Sequence, residues 1–145
     1  MNVIVDASAA LKWFFRSGDD EADLDIALDL LRRVADGSVT LLQPPHFIAE
    51  MSAVFSREVP VIAQAALGDL LSVEMQRIET EAVYVRAVEL SLRFQHHLFD
   101  TLYHAVALES ADALLVTADE RHWRKARTAG RIVRLADFAY MLPPQ

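Results

Sequence analysis

The chain has 145 residues, the length of one ordinary domain with room for a sizeable core. With 53% of residues apolar it is not a disordered chain, and with no cysteine it has no disulfide, thiolate zinc site or cysteine nucleophile. Net charge is −7, which argues against nucleic acid as a partner, and no apolar run is long enough to span a membrane.

The charge is unevenly spread. Seven of the 21 acids, Asp19, Asp20, Glu21, Asp23, Asp25, Asp29 and Asp36, share one segment, the pattern of a solvated helix face. Six of the 14 basic residues, Arg121, Arg124, Lys125, Arg127, Arg131 and Arg134, share another, which suits an ordinary surface or a phosphate backbone. The N-terminus lacks a basic segment, so no signal peptide is expected and a cytoplasmic location fits. Residues 1–145 read as a single domain without repeat or linker.

MNVIV reads as a strand that stops on Asp6, and SAALKWFF as a helix with Ser8 near its start. Trp13, Phe14 and Phe15 in succession cannot share one helix face, so either one or two form an exposed interface patch or the helix end packs loosely. From about Asp20 to Ala35, Leu24, Ala27, Leu28, Leu31 and Val34 recur at helical spacing, and Asp36-Gly37 ends the helix. SVTLLQ is a second strand, cut by Pro44-Pro45, which open a helix through Phe47, Ile48, Met51, Val54 and Phe55. Helix resumes after Pro60 in VIAQAALGDLLSV, and MQRIET is a weak strand. EAVYVRAVELSLRF and FDTLYHAVALESA are helices, DALLVTA a strand, DERHWRKARTAG a helix and RIVRLAD the last strand. Strands alternating with helices favour a parallel sheet covered on both faces, where ligands collect at the carboxyl ends of strands. Neither GxGxxG nor GxxxxGK[ST] occurs.

Asp6 and Asp119 each follow an apolar strand, in VIVD and LLVTAD. On neighbouring strands they would reach one edge, where mutual repulsion calls for a cation. Oxygen donors without cysteine point to magnesium or manganese rather than zinc. Glu50 is out of place among Ile48, Met51 and Val54, and Asp100 opens an apolar helix whose N-terminus favours a carboxylate. Each acid has a structural alternative. Asp6 or Ser8 suits a helix cap, Thr117 with Glu120 matches a capping box, Asp100 suits an N-cap and Glu50 an exposed edge. The four together favour a site.

In their order, VDAS, the AE of a helix after a proline-containing strand exit, FDTLYHAVAL and LLVTADER resemble the PIN-domain ribonucleases. Within them the chain is most similar, over essentially its whole length, to the small VapC-type toxins of bacterial toxin–antitoxin pairs. The resemblance implies a PIN-like three-layer α/β/α fold with a central parallel sheet of about four or five strands. It implies a divalent-metal-dependent endoribonuclease using Mg2+ or Mn2+, held by an antitoxin protein near its active site and commonly a homodimer. Carried over, the acidic site is Asp6, Glu50, Asp100 and Asp119. Asp6 and Asp100 would ligate metal, Asp119 directly or through water, and Glu50 would ligate a second ion or orient the attacking water. Ser8 and Thr117 would steady the carboxylates.

His104 stands where the family more often has an apolar residue. Four residues after Asp100, it either touches the acidic site or is a half-buried helix residue. His96 and His97 are adjacent and would diverge by ~100° on a helix, a poor metal pair. His46–Glu50 and Asp100–His104 do not match HExxH, which disfavours a zinc hydrolase. Lys12, Trp13, Arg16 and the segment from Arg121 to Arg131 with Trp123 are candidate RNA contacts, Trp13 being more in character as core. The alternative to an enzyme is a catalytically silent PIN-like module acting by protein or RNA association, which would have no reason to keep four mutually repelling acids. A haloacid-dehalogenase-like phosphatase is weaker still, since Ser8 stands at the second acidic position of its DxD.

Overall fold

The structure, a computed structural model, describes residues 1–15 and 21–142, the side chains of 21 and 22 excepted. Arg16, Asp19 and Asp20, named above, lie outside the described residues, as does the Glu21 side chain. The elements run β1 (Asn2–Val5), α1 (Ala7–Ala10), α2 (Glu21–Ala35), β2 (Thr40–Gln43), α3 (Phe47–Glu58), α4 (Ala63–Leu71) and β3 (Gln76–Arg77). They continue through α5 (Glu81–Phe94), α6 (Leu98–Glu109), β4 (Ala113–Thr117), α7 (Glu120–Ala126), β5 (Ile132–Arg134) and α8 (Leu135–Phe138).

The five strands form one parallel sheet in the order β3-β2-β1-β4-β5, flanked by helices in a three-layer α/β/α arrangement. In the central strand Val3, Ile4 and Val5 are all fully buried, because both faces of a parallel sheet are covered and no polar alternation is needed. Seven consecutive residues of α6, Thr101–Ala107, are buried too, since the helix lies between the sheet and α5. Thr101 ties the pair, its Oγ1 donating to the Ala87 carbonyl of α5 at 2.9 Å.

Chain order fixes where a site can be. The chain steps outward from β1 to β2 and β3, then crosses back so that β4 lands on the other side of β1. The winding reverses between β1 and β4, and in sheets of this kind the ligand crevice lies beyond the carboxyl ends of the strands at that reversal. Their register pairs Val5 with Val116, so Asp6 and Thr117 leave the sheet side by side. On the other flank β1 and β2 pair at Asn2–Thr40 and Val3–Leu41. Nearer the crevice the Gln43 side chain completes the pairing: its Oε1 accepts from Val5 N at 3.1 Å and its Nε2 donates to Val5 O at 2.7 Å.

Three local expectations are corrected. The helix after β1 stops at Ala10 and tightens into a 3-10 turn over Leu11–Trp13, which sends Trp13 to a different neighbour from Phe14 and Phe15. Trp13 Nε1 donates to Ala27 O at 2.9 Å, while the Phe14 and Phe15 rings lie 4.9 and 6.3 Å from Phe55, so all three are half-buried and none forms an exposed patch. Exposed apolar residues stand elsewhere, at Val61, Ile62 and Leu71 and along α5 at Val85, Val88 and Leu92. RIVRLAD is strand only through Arg134, after which the chain turns at once into α8.

Much of the basic segment serves the fold. Arg131 Nη1 donates to the Ala107 and Ser110 carbonyls at the end of α6, and Arg134 binds Asp137 and Glu120 while lying over the Trp123 ring. No helix among the described residues is long and apolar enough to cross a membrane.

Candidate metal centre

Asp6 caps α1 and also faces the crevice. Its Oδ1 accepts from Ser8 Oγ at 2.6 Å and from Ala9 N at 3.1 Å, and its Oδ2 accepts from Thr117 Oγ1. The side chain is buried, and burial pushes its pKa up to about 6 against the pull of those donors, with the Asp100 charge adding to the rise. The cap and the site are therefore the same residue. Ser8 is not the cap: its hydroxyl sits between Asp6 and β4, accepting from Ala118 N at 3.0 Å.

Thr117 does not form the capping box with Glu120. Its pairing with Arg134 keeps it extended in β4, and its hydroxyl donates to Asp6 while accepting from Asp119 N at 3.0 Å. Asp119 caps α7 instead, Oδ1 accepting from His122 N at 3.0 Å. One threonine hydroxyl thus links the ends of two neighbouring strands and both of their acids.

Asp100 is not the N-cap of α6. His97 takes that position, Nδ1 accepting from Phe99 N at 3.1 Å, and Asp100 sits within the first turn. Burial raises the Asp100 pKa and the charges of Glu50 and Asp119 raise it further, while His96 works the other way. Glu50 projects from α3, its Oε1 accepting from Tyr103 Oη at 3.0 Å and lying 2.8 Å from His46 Nε2, which is hydrogen-bonded to Phe99 O at 2.7 Å. It is therefore neither a bare surface acid nor free to swing. The Tyr103 phenol, buried in α6, is raised by burial and by Glu50, Asp6 and Asp100. Asp100 is thus in electrostatic reach of Asp6, Glu50 and Asp119, and the four acids come from four separate parts of the chain.

His104 does not touch the carboxylates. It is fully buried, its Nε2 bonded to Gly130 O at 2.7 Å where the chain turns toward β5, and burial holds its pKa down. His96, set aside in the sequence as half of an adjacent pair, is the histidine that reaches the site. Both residues lie between α5 and α6 rather than on a helix, so the ~100° divergence does not apply. His96 Nε2 is 2.9 Å from Asp100 Oδ2. Its ring stacks on His122 with centroids 4.5 Å apart and planes 7° from parallel. His122 is fully buried with neither ring nitrogen hydrogen-bonded, and burial drives its pKa down to about 3.

Donor atoms of His96, Asp100 and Asp119 all lie within 4.8 Å of one another. Opposite donors around one small cation at ~2.1–2.4 Å are separated by about 4.2–4.8 Å, so this trio fits a single ion. Asp6 is not one of that trio, and it is linked to it through the charge of Asp100, which adds to the rise of the Asp6 pKa. Sequence reasoning missed His96, Tyr103 and Gln43. Glutamine ending the strand TLLQ was a visible signal for the last, whereas nothing in spacing pointed to the other two.

The family model described as PIN domain matches residues 3–128. No curated protein matches the chain.

Proposed function

The chain belongs to the PIN-domain family, and from that premise we propose that it is a divalent-metal-dependent endoribonuclease hydrolysing RNA phosphodiester bonds, the toxin of a type II toxin–antitoxin pair. The observation that carries this reading is that donor atoms of Asp100 and Asp119 lie within 4.8 Å of each other and of His96, with Asp6 and Glu50 in electrostatic reach of Asp100. Mg2+ or Mn2+ held there would lower the pKa of a water and neutralise charge developing on the phosphate.

The chain's own residues divide the work. Asp6 and Asp100 would be the ion's main ligands, with Asp119 beside them. Ser8 and Thr117 fix both oxygens of Asp6, so that its carboxylate cannot rotate away. Glu50 has one oxygen held by Tyr103, which leaves the other to orient the attacking water. Arg121, exposed two residues after Asp119 and without an ion pair among the described residues, is placed to meet a neighbouring phosphate.

Residues 1–145 act as one domain: β5 lies beyond the family match and still completes the sheet. The antitoxin occupies the groove beside Ser8 lined by Leu11, Lys12, Phe15, Val54 and Arg57, and the apolar α5 face of Val85, Val88 and Leu92 serves a homodimer in the cytoplasm.

The test is cleavage of structured RNAs with Mn2+ or Mg2+ by wild type, Asp6→Asn and Asp100→Asn. Wild type should cut and both variants should not; equal cleavage by all three overturns the metal-site reading. Absence of cleavage by metal-loaded wild type would instead favour a binding module. Co-purification with the product of an adjacent small gene tests the toxin assignment, which fails if expression is harmless and nothing binds.

A further inference from the structure

We propose that His96 is itself a metal ligand, sharing one ion with Asp100 and Asp119, and that its nitrogen tilts the site from Mg2+ toward Mn2+. The proposal rests on the metal-site reading above and adds to it a donor of a different chemical kind.

Spacing is the first support. Neighbouring donors in an octahedral shell of radius ~2.1 Å are about 3.0 Å apart. His96 Nε2 and Asp100 Oδ2 are 2.9 Å apart, and Asp119 brings a donor atom within 4.8 Å of donor atoms of both residues. The same spacing that serves a hydrogen bond before loading serves two adjacent corners of a coordination shell after it.

Preorganisation is the second. The His96 side chain is only 9% exposed. Gln95, with φ 50 in the left-handed region, turns the chain sharply at the end of α5. Ser91 then fixes the backbone of His96 from both sides, its Oγ donating to His96 O at 2.6 Å and its carbonyl accepting from His96 N at 3.2 Å. The flat stack on His122 sets the plane of the ring. His122 has no hydrogen-bonded nitrogen, so it serves as a buried platform. A side chain this constrained has already lost the rotamer freedom that a ligand loses on binding.

Selectivity follows from the donor set. Mg2+ favours oxygen and dehydrates reluctantly, whereas imidazole nitrogen suits ions further along the transition series. One nitrogen among carboxylate oxygens therefore improves Mn2+ more than Mg2+.

The experiment is pulsed electron paramagnetic resonance of the full chain loaded with Mn2+, with calorimetric titration of Mn2+ and Mg2+. Wild type should show coupling of the Mn2+ electron spin to a directly bound imidazole nitrogen. His96→Gln, or His96→Asn if the first does not fold, should lose that coupling, and His46→Gln should keep it. His96→Gln should weaken Mn2+ about tenfold or more and Mg2+ by less. Mn2+ bound without nitrogen coupling, coupling that survives in both His96 variants, or equal weakening of both ions overturns the proposal while leaving the carboxylate site intact. Failure of wild type to bind Mn2+ at all overturns the metal-site reading and this proposal with it.

Discussion

Thr117 Oγ1 donates to Asp6 Oδ2 across 111 residues of sequence. The bond exists because β4 is inserted directly beside β1 with Val116 opposite Val5, which sets the next residues of both strands in contact. Since the same oxygen accepts from Asp119 N, one hydroxyl couples the orientation of one acid to the turn that carries the other.

Thr117→Val keeps the β-branched shape and removes the hydroxyl. It should lower RNA cleavage and metal affinity by about 10- to 100-fold, while Thr117→Ser retains most of both. Metal titration beside the cleavage assay checks this. Equal losses in Val and Ser variants would show that strand packing, rather than the hydroxyl, is what matters.

Asp6 is raised to about 6 from an ordinary 3.8, so the folded protein binds a proton there more tightly than the unfolded chain does. That contribution to stability is complete below pH ~4 and is lost as pH rises through about 6, a total of about 3 kcal/mol. Asp6→Asn does not titrate. With metal removed by a chelator, its stability relative to wild type should rise by about that amount between pH 4 and 7. Urea unfolding across that range reads the difference, and a flat difference would mean that Asp6 is not destabilised by burial. The variant gains metal-free stability as it loses cleavage.

Tyr103→Phe removes the hydroxyl that holds Glu50 Oε1 and leaves His46 in place. Stability should fall by about 1 kcal/mol and the turnover rate by about tenfold, with metal affinity little changed. A loss of metal affinity as large as the loss of turnover would make Glu50 an ion ligand rather than the group that orients water.

His122 behaves in the opposite sense to Asp6. Its pKa is lowered from 6.5 to about 3, chiefly by burial, so the unfolded chain takes up a proton that the folded one refuses. Wild type therefore loses stability from this group as pH falls below about 6.5, by about 3 kcal/mol at pH 4. His122→Leu should gain on wild type steadily as the pH drops. It should also disturb the His96 ring, visible as weaker nitrogen coupling in the Mn2+-loaded protein. Parallel pH profiles for the two proteins would rule out a buried neutral imidazole.

The elements were largely legible, because burial imposes a period that the sequence must obey. VIV reads as a strand covered on both faces, and the apolar positions of residues 24–34 read as one helix. Departures occur where local signals compete. LKWFF has helix-forming residues but tightens into a 3-10 turn, where Trp13 reaches Ala27 while Phe14 and Phe15 both pack against Phe55. Thr117 matches a capping box in sequence, yet its pairing with Arg134 holds it in the strand and Asp119 becomes the cap.

The sequence by itself determined the residue types and where each stands along its element: an acid at the end of β1, another just past β4, one in the first turn of α3 and one in the first turn of α6. Local periodicity and chain stops carry that much, since they depend on neighbours a few residues away. Tertiary structure alone decided the order β3-β2-β1-β4-β5, and so brought Asp6 against Thr117. It also turned His96 into the site and buried His104 against Gly130, which decides between the two readings that helical spacing left open for His104. Strand order arises from packing between segments far apart in the chain, and no local pattern encodes it.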